Sequence, residues 1–504
     1  MIDLYGDPSL RRILLADIAP LHKPSGARVT FYVGSEMFAT APTDTPASEQ
    51  YVGCVKDDVF VSRAMWAGDR FGGRSLPDSG QLSIINAREP VIGSRFDAWL
   101  DPELYSFQGA PVRLHLLAEG LPYAERVTYE YVIQDIDYDA SLIRLPFKSL
   151  AYLFERPLVF NRFGGTGAGD GTADMAGRGV PICLGHCANL EPVIVDPATL
   201  LLQFGDGQGE AVEAVRDKGA AFDTPDDYTA TLSASQIDVV SSPAGRITAD
   251  VKGSTLGGTY SAKPADLLRY VATQLGITQF ADDALAAMNA AAPFDIGYYT
   301  GTDEPQAGEF FDQATNSVGG YYGFNWRSEF DCGVFGLPTA PAELVLTEED
   351  IERDSLTSEP LGGVVWKVVY NYRPNFARQS ADELAAGVAQ AERTRYGLEY
   401  QLTTYREDAA IKADYPDAIV LTVNSLVYEQ ADADLDAQRI FDFWSVPRRK
   451  YSGVGRNLKV LQVELNQTLR LYHPRLNLAG GKATTLIQVT PFFLKGKLNF
   501  TSVG

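Results

Sequence analysis

Residues 127–145 of the chain read VTYEYVIQDIDYDASLIRL. The two flanks, residues 127–133 and 141–145, are rich in the β-branched and aromatic residues that favour strands. The segment between them contains three Asp residues, which are typical of a turn. The stretch therefore predicts two paired strands joined by a turn.

The same pattern continues on the N-terminal side of this stretch. We predict three further strands there, over residues 29–33, 81–85 and 112–116. Strict alternation in the last of them places Arg113 and His115 on one face. Residues 1–150 are therefore predicted to form an N-terminal β domain rich in hairpins.

A second β domain is predicted over residues 151–260. It begins with a Gly-rich stretch, residues 163–171, and continues as short strands between residues 191 and 251. Two of these strands, residues 236–240 and 246–251, are predicted to pair as a hairpin, because their connector supplies the Pro and Gly of a turn.

The pattern changes near residue 261, and a mixed α/β domain is predicted over residues 261–430. Helical spacing predicts three helices, over residues 264–275, 282–291 and 305–317. Pro264 and Gly276 mark the first turn and the end of the first helix. Strands are predicted over residues 321–326 and 364–370. Ser380 and Glu383 match a capping box, which predicts a helix that reaches Tyr396.

Residues 431–504 are predicted to form a helix followed by a C-terminal β domain. The helix covers residues 433–444, and four apolar residues share one of its faces: Ala437, Ile440, Phe441 and Trp444. Alternating strands follow over residues 458–500, including residues 459–465. The predicted class is therefore a β-rich α+β protein of several domains.

Composition limits the function. The chain has 504 residues, 45% of them apolar and 21% charged, so it can bury several cores. Its 43 basic and 65 acidic residues give a formal net charge of −22. Because such a surface repels phosphate and anionic lipid, the composition argues against sequence-specific DNA or RNA binding.

Cysteine content and hydropathy indicate the cellular compartment. Four cysteines among 504 residues are too few for a disulfide framework. The N-terminus lacks the basic-then-apolar order of a signal peptide, and no run approaches the roughly 18 to 20 apolar residues that span a bilayer. We therefore expect a soluble protein made in the cytosol, with no membrane span.

The Gly-rich stretch does not match a nucleotide-binding motif. A phosphate-binding loop needs Lys and a hydroxyl residue after its glycines. Here Asp170 lies between Gly169 and Gly171, which places an anion where the cation belongs. Residue 172 is Thr, so the dinucleotide-binding pattern also lacks its third Gly. The pattern favours a surface loop, flexible or tightly turned.

Cys183, His186 and Cys187 are the candidate metal ligands. Three residues separate the two thiols, whereas common zinc sites have two, and no second Cys/His pair lies nearby in the sequence. Cys54 and Cys332 could complete a site only through the fold. Buried structural cysteine is the more frequent use, so we expect no metal and no other cofactor.

Catalytic patterns are sparse. The chain has four His residues, and no nucleophile-elbow motif surrounds any Ser. Two acidic clusters, residues 303–304 and 348–350, are predicted to precede helix N-termini, where negative charge is favourable. The acidic residues 429–436 are predicted to be a solvated helix start. The basic residues 448–450 fit either a partner's acidic surface or charge compensation at a helix C-terminus.

Six further stretches are informative: APTDTPA (41–47), GQLSIIN (80–86), GRGVP (177–181) through Gly185 to NLEPVIVD (189–196), LQFGDG (202–207) with EAVRDKG (213–219), SPAGRITADVKG (242–253), and LYHPRL (471–476) with GGK (480–482). Together they resemble the tail-tip proteins of bacteriophages with long, non-contractile tails, which form the baseplate hub of siphophages.

The resemblance implies a structural virion protein at the tail tip, without enzymatic activity. Such hub subunits form a ring, commonly a trimer, whose tube-like β-barrel domains continue the six-fold tail tube and carry inserted helical or mixed domains. Their partners would be the distal tail ring, the tape measure and the central fibre that the ring anchors. DNA would pass through during ejection without specific binding, and assembly would take place in the host cytoplasm.

The residues themselves suit such a ring. Neighbouring copies cover the unpaired strand edges of a β domain, and closed symmetry supplies those neighbours. An acidic passage does not retain DNA.

Two other functions remain open at this point. A carbohydrate-binding tail adhesin is suggested by the aromatic pairs Tyr298-Tyr299 and Tyr321-Tyr322, because aromatic rings stack on sugar faces, although such rings more often pack in cores. A glycan hydrolase would use acids such as Asp303 or Glu349.

Overall fold

The structure is a computed structural model that describes residues 4–65, 76–86, 96 and 100–504. It has several sheets and few helices, and its sheets are mostly open rather than closed into one barrel. The predicted β-rich α+β class is therefore confirmed.

The first 150 residues form mainly antiparallel strands. Their bounds are β1 (Arg12–Ile18), β2 (Leu21–His22), β3 (Ala27–Arg28), β4 (Phe31–Gly34), β5 (Phe38–Ala39), β6 (Gln50–Gly53), β7 (Val61–Ala64), β8 (Leu76–Ile85), β9 (Tyr105–Ser106), β10 (Pro111–Ala118), β11 (Val127–Ile133), β12 (Asp137–Tyr138) and β13 (Leu142–Lys148). The predicted pair of β11 and β13 forms, but the two strands meet only at Val132 and Ile133. Most of β11 pairs with β10, and β13 pairs along its length with β8.

Backbone hydrogen bonds connect the two ends of this group of strands. β1 pairs with β10 and β4, and β4 pairs with β6 in parallel. Just after β6, Cys54 O accepts from Ile85 N (2.8 Å), and Lys56 N donates to Ser83 O (3.0 Å), so the chain reaches β8. The group therefore closes locally around a core that includes Leu14, Leu82 and Leu114, although the whole chain is not one barrel.

The second region consists of two facing sheets. Its strands are β14 (Ile182–Leu190), β15 (Val193–Asp196), β16 (Leu201–Gln203), β17 (Gly209–Asp217), β18 (Ala220–Ala221), β19 (Tyr228–Thr231), β20 (Gln236–Val239) and β21 (Ile247–Ser254). The predicted hairpin of residues 236–240 and 246–251 is wrong, because β20 pairs with β16 and β19 whereas β21 pairs with β14 and β17. The connector instead bonds to the end of β17: Asp217 Oδ2 and Oδ1 accept from Ala244 N (2.6 Å) and Gly245 N (2.9 Å).

The third region mixes helices and strands. Its elements are α1 (Pro264–Gln274), α2 (Asp282–Ala291), β22 (Gly297–Thr300), α3 (Ala307–Asn316), β23 (Gly320–Phe324), β24 (Phe330–Val334), β25 (Leu344–Leu346), β26 (Thr357–Pro360), β27 (Val365–Pro374), α4 (Gln390–Gly397), β28 (Tyr400–Glu407), α5 (Ala409–Asp414) and β29 (Ile419–Asn424). The three predicted helices are confirmed, and Gly276 after the first has φ +92°. The interaction of Ser380 with Glu383 also forms, with Ser380 N donating to Glu383 Oε2 (2.6 Å). The predicted helix is nevertheless shorter and begins only at Gln390, because Ala385 N donates to Lys218 O (2.8 Å) instead of to a carbonyl within the segment.

The last region contains α6 (Gln430–Trp444), β30 (Arg449–Gly455), β31 (Thr468–His473), β32 (Leu478–Phe492) and β33 (Lys497–Val503). Ala437, Ile440 and Trp444 of α6 are buried as predicted, and Phe443 is buried whereas Phe441 is only partly so. The predicted strand over residues 459–465 is wrong. Residues 459–462 form a 3-10 helix. Leu461 N donates to Leu458 O (2.9 Å) and Val463 N to Val460 O (3.3 Å), so the backbone amides bond within the segment instead of to a neighbouring strand.

The first and last regions share one sheet. β32 pairs with β7 at Gln488–Ala64 and Val489–Arg63. The strand order is β26-β30-β33-β32-β7-β8-β13-β11-β10-β1-β4-β6-β5; in addition, β31 pairs with β32, and β25 pairs with β31. A separate sheet, β28-β27-β29, packs against α6.

Candidate functional site

The three candidate metal ligands all lie on β14 but do not converge. Cys183 and Cys187 belong to the core between the two facing sheets. His186 leaves that core, and its Nε2 shares a hydrogen bond with Glu213 Oε2 (2.7 Å). Among the residues that the structure describes, no group of three His, Cys, Asp or Glu side chains is arranged to hold a metal ion. Burial, and then the neighbouring Cys183, raises the pKa of the Cys187 thiol well above its usual value, so this thiol is protonated at neutral pH.

His186 instead connects the second region to the third. Its ring stacks on Tyr428, just before α6, with 3.4 Å between ring centroids. Lys252 Nζ lies 3.3 Å from Glu213 Oε1, and the Arg373 guanidinium lies 4.3 Å from the centroid of Tyr428. Burial raises the pKa of Tyr428 to about 12, so its phenol stays neutral. The cluster therefore acts as a packing joint between two parts of the chain.

The Gly-rich stretch is a tight turn around a carboxylate. Asp170 Oδ1 accepts from Gly164 N (2.8 Å), and its Oδ2 accepts from Thr166 Oγ1 (2.6 Å). These hydrogen bonds hold the pKa of Asp170 below its usual value, and the bond from Thr166 Oγ1 has the largest effect. The loop already encloses an anion of its own, so its backbone amides are not open to a phosphate.

The first acidic cluster makes a surface ion pair. Glu304 Oε2 accepts from Arg162 Nη2 (2.8 Å), whereas the neighbouring Asp303 is exposed. Glu304 lies three residues before the first residue of α3, Ala307.

The second acidic cluster is not a helix start, contrary to the prediction. Residues 347–350 form a turn after β25 in which Asp350 is buried while Glu348 and Glu349 are exposed. Asp350 Oδ1 accepts from Lys459 Nζ (2.6 Å) and Asn457 Nδ2 (3.0 Å). Burial alone would raise the pKa of Asp350, but these hydrogen bonds and those from Thr347 outweigh it and hold the pKa below its usual value.

The predicted solvated start of α6 is wrong for two residues, Ala433 and Asp436, which are buried. Asp436 is fully buried, and its Oδ1 accepts from Arg439 Nη2 (2.6 Å). Its Oδ2 accepts from Tyr370 Oη (2.8 Å), which anchors α6 to β27. Helical spacing places Asp436 beside Ala433, Ala437 and Ile440 on the buried face.

The basic residues 448–450 make contacts within the chain. Arg449 Nε donates to Ser358 Oγ (2.6 Å), and Lys450 Nζ lies 3.6 Å from Glu359 Oε2. The Arg448 guanidinium lies 4.9 Å from the ring centroid of Phe443.

The aromatic pairs pack mainly in the core. Tyr298, Tyr321 and Tyr322 are buried, and Tyr322 Oη donates to Asp312 Oδ1 (2.9 Å). Tyr299, the least buried of the four, donates from its Oη to the carbonyl of Glu191 (2.6 Å). Because at least three of the four rings are enclosed, they form no exposed platform on which a sugar could stack.

A buried arginine at the junction of β7 and β32 was not apparent from the sequence. Arg63 is 2% exposed; its Nη1 donates to Glu464 Oε2 (2.8 Å) and its Nη2 to Phe324 O (2.7 Å). Its guanidinium also lies 4.3 Å from the ring centroid of Trp326. The partners come from distant parts of the chain, so no local pattern could have indicated this contact.

A second polar cluster lies on the outer face of the closed strand group. Tyr51 Oη donates to Asp17 Oδ1 (2.6 Å), and His115 Nε2 lies 3.2 Å from Asp17 Oδ2. Arg113 lies on the same face as His115, as predicted, and pairs with Glu130 (2.8 Å). Asp17, Arg113, His115 and Glu130 border a cavity of about 530 Å³.

No helix in the described residues has both the length and the apolar character needed to cross a membrane. No protein-family model matches the chain, and no curated protein matches it by sequence.

Several solved structures are similar to the chain at low sequence identity. The 43 kDa tail protein of prophage MuSo2 from Shewanella oneidensis is 9% identical, with coverage of 97% of this chain and 98% of that chain and a TM-score of 0.40. The prophage tail protein gp18 from Listeria monocytogenes EGD-e is also 9% identical, with coverage of 98% of this chain and 94% of that chain and a TM-score of 0.41. A chain of the virion of a native gene transfer agent particle is 12% identical, with coverage of 65% and 84% and a TM-score of 0.43. These similar structures are therefore of tail and virion proteins.

Proposed function

We propose that this chain is a structural protein of the phage tail tip, a baseplate hub subunit of a long, non-contractile tail. Copies of the chain, three in the simplest case, form a ring that continues the tail tube. The ring contacts the distal tail ring and the tape measure, anchors the central fibre and opens when DNA is ejected. The subunit acts mechanically and has no turnover chemistry.

The observation that carries this proposal is the sheet shared by the two ends of the chain. Strands within residues 12–148 form one group, strands within residues 344–360 and 449–503 form another, and β7 joins them at β32. One subunit therefore offers two adjacent β groups. A trimer would present six such groups, which matches a six-fold tube in number.

The charge distribution supports a passage for DNA. The net charge is −22, and several surface arginines are paired with carboxylates, as in Arg113 with Glu130 (2.8 Å) and Arg144 with Asp139 (2.7 Å). Paired cations do not collect backbone phosphate, so DNA would slide past such a surface.

The placement of the candidate acids supports the absence of an enzymatic function. Asp303 and Glu349 are exposed on separate segments, one before α3 and one after β25. A glycan hydrolase needs two carboxyl groups facing one sugar bond.

Two properties test the proposal: the assembly state of the protein and its location in the particle. Light scattering and negative-stain imaging of the full-length protein are expected to show rings, and mass spectrometry of purified particles is expected to detect the chain. Electron microscopy with an antibody against the chain is expected to label the tail tip. A protein that stays monomeric at all concentrations and is missing from particles would overturn the proposal.

A further inference from the structure

The sheet β28-β27-β29 has two edges, β28 and β29, that no other strand of the described residues pairs with. In β29, Ile419 N donates to Val364 O (2.9 Å), and just beyond β29 Ser425 N donates to Asn371 O (2.9 Å), so the odd-numbered amides face β27. Because amide direction alternates along a strand, those of Val420 and Thr422 point away from the sheet. Neither has a hydrogen-bond partner in the described part of the chain.

β29 lacks the features that protect an edge strand from pairing. Its sequence IVLTVN contains no charge and no Pro, and Val420 is 47% exposed. Both ends of the largest sheet are protected, because β5 is two residues long and β26 contains Glu359 and Pro360. A long, uncharged edge of this kind promotes strand addition unless another strand covers it.

The helix that covers one face of this sheet does not extend over β29. α6 packs across β27 and β28, whereas Leu421 and Val423 of β29 are only partly buried. A groove of about 190 Å³ lies beside them, lined by Asn316, Gly319, Ile440 and residues 421–424. An added strand would cover this groove and bury more of the apolar side chains.

The other free edge of the sheet has the complementary geometry. β28 is antiparallel to β27 and β29 is parallel to it, so β28 of one copy could pair antiparallel with β29 of another. Asp408 N donates to Trp366 O (3.0 Å), so the amides of Thr403 and Tyr405 point outward by the same alternation. The Tyr405 side chain is 56% exposed, although its carbonyl accepts from Arg406 Nη1 (2.9 Å) and would exchange that bond on pairing.

We propose that β29 of one subunit pairs with β28 of the next, so that the three-stranded sheets join into one continuous sheet around the ring. This inference rests on the proposed ring and names the edges that form it. One repeated head-to-tail contact of this kind closes into a ring when its rotation divides the circle.

Thr422→Pro in the full-length protein tests the pairing. Its amide points outward, so Pro removes no hydrogen bond within the fold, and Pro is tolerated at such edge positions. Thr422→Ser is the matched control, because it keeps the amide. Circular dichroism checks that each variant folds, and sedimentation velocity over a range of concentrations measures assembly. We expect the dissociation constant of the ring to rise at least tenfold for Thr422→Pro and to stay unchanged for Thr422→Ser.

A pair of opposite charges, one on each strand, tests whether β28 is the partner of β29. Thr422 and Thr403 both project from the exposed face of the sheet. Thr422→Lys should weaken assembly, and adding Thr403→Glu to the same chain should restore it. Rings that form equally well with Thr422→Pro and Thr422→Lys would overturn this inference and leave the proposed function intact. If Thr422→Pro and Thr422→Lys both weaken the ring and Thr403→Glu does not restore it, the β29 edge pairs with another strand. That result would overturn the pairing with β28. A wild-type chain that is monomeric and absent from particles would overturn the proposed function itself.

Discussion

Replacement of Arg63 by Met tests what holds the first and last parts of the chain together. Arg63 lies on β7, where that strand pairs with β32, and its charge is buried. Met keeps an unbranched apolar side chain of similar reach. The variant therefore removes the ion pair with Glu464, the hydrogen bond to Phe324 O and the contact with Trp326 while leaving little empty space.

The expected cost follows from these contacts. Removing one partner of a buried ion pair costs about 3–5 kcal/mol, and the Glu464 side chain, still 33% exposed, keeps part of its hydration. The lost cation–π contact costs about 0.5–2 kcal/mol, and a buried carbonyl without its donor about 1–3 kcal/mol. Because one side chain makes all three contacts, the costs overlap. We expect a total of about 3–4 kcal/mol.

Hydrogen–deuterium exchange measures this cost locally, because a chain of several domains need not unfold in one step. Since about 1.4 kcal/mol corresponds to a factor of ten, peptides that cover β7 and β32 should exchange about 100- to 1,000-fold faster in Arg63→Met. Arg113→Met is the control: its pair with Glu130 has exposed side chains (56% and 48%), and such pairs contribute below about 1 kcal/mol. An effect of Arg63→Met no larger than that of Arg113→Met would refute this reasoning.

Three further predictions concern packing, pH and thiol reactivity. A methyl group at Gly253 would lie 2.3 Å from Cys183 O, so Gly253→Ala should lower the free energy of unfolding by about 1–3 kcal/mol. A methyl group at Gly323 would meet open space, so Gly323→Ala should leave stability unchanged. Equal melting temperatures of the two variants would contradict this prediction. Because the folded state lowers the pKa of Asp350, its contribution to stability is complete at neutral pH and is lost as pH falls below the ordinary carboxyl value of about 4. The melting temperature of Asp350→Asn should therefore fall less steeply in acid than that of the wild type, and parallel acid profiles would count against the assignment. All four cysteines are buried, so a thiol reagent should react only after urea unfolds the protein. Rapid labelling of the native protein would show that the core opens.

Features determined by local sequence could be predicted. The helix that begins at Pro264 and ends before Gly276 depends on residues within that segment, as does the hydrogen bond between Ser380 and Glu383. The apolar face of α6 was likewise predictable, because helical periodicity reports burial directly.

Strand partners could not be predicted, because pairing depends on distant segments. β20 and β21 look like a hairpin in sequence, yet they enter different sheets. β7 and β32 pair across nearly the whole chain, and no local pattern indicates it. Because one sheet includes both ends of the chain, the division at residues 150, 260 and 430 stays a prediction.

The candidate site shows the same limit. Cys183 and Cys187 lie an even number of residues apart on β14 and share a face, whereas His186 lies on the other. Alternation could have separated them once the segment was known to be a strand. The partners of His186, Glu213 and Tyr428, are distant in sequence and were not predictable.

The contact between β7 and β32 also determines when the protein can finish folding. Near this junction Leu494 N donates to Asp58 Oδ1 (2.8 Å) across 436 positions of the chain. Contacts at such separation form slowly, and the N-terminal part leaves the ribosome first. During translation the edge of β7 therefore stays unpaired until β32 has been synthesised. A nascent chain released before residues 478–492 are made would lack the strand that pairs with β7, so this sheet can be completed only late in synthesis.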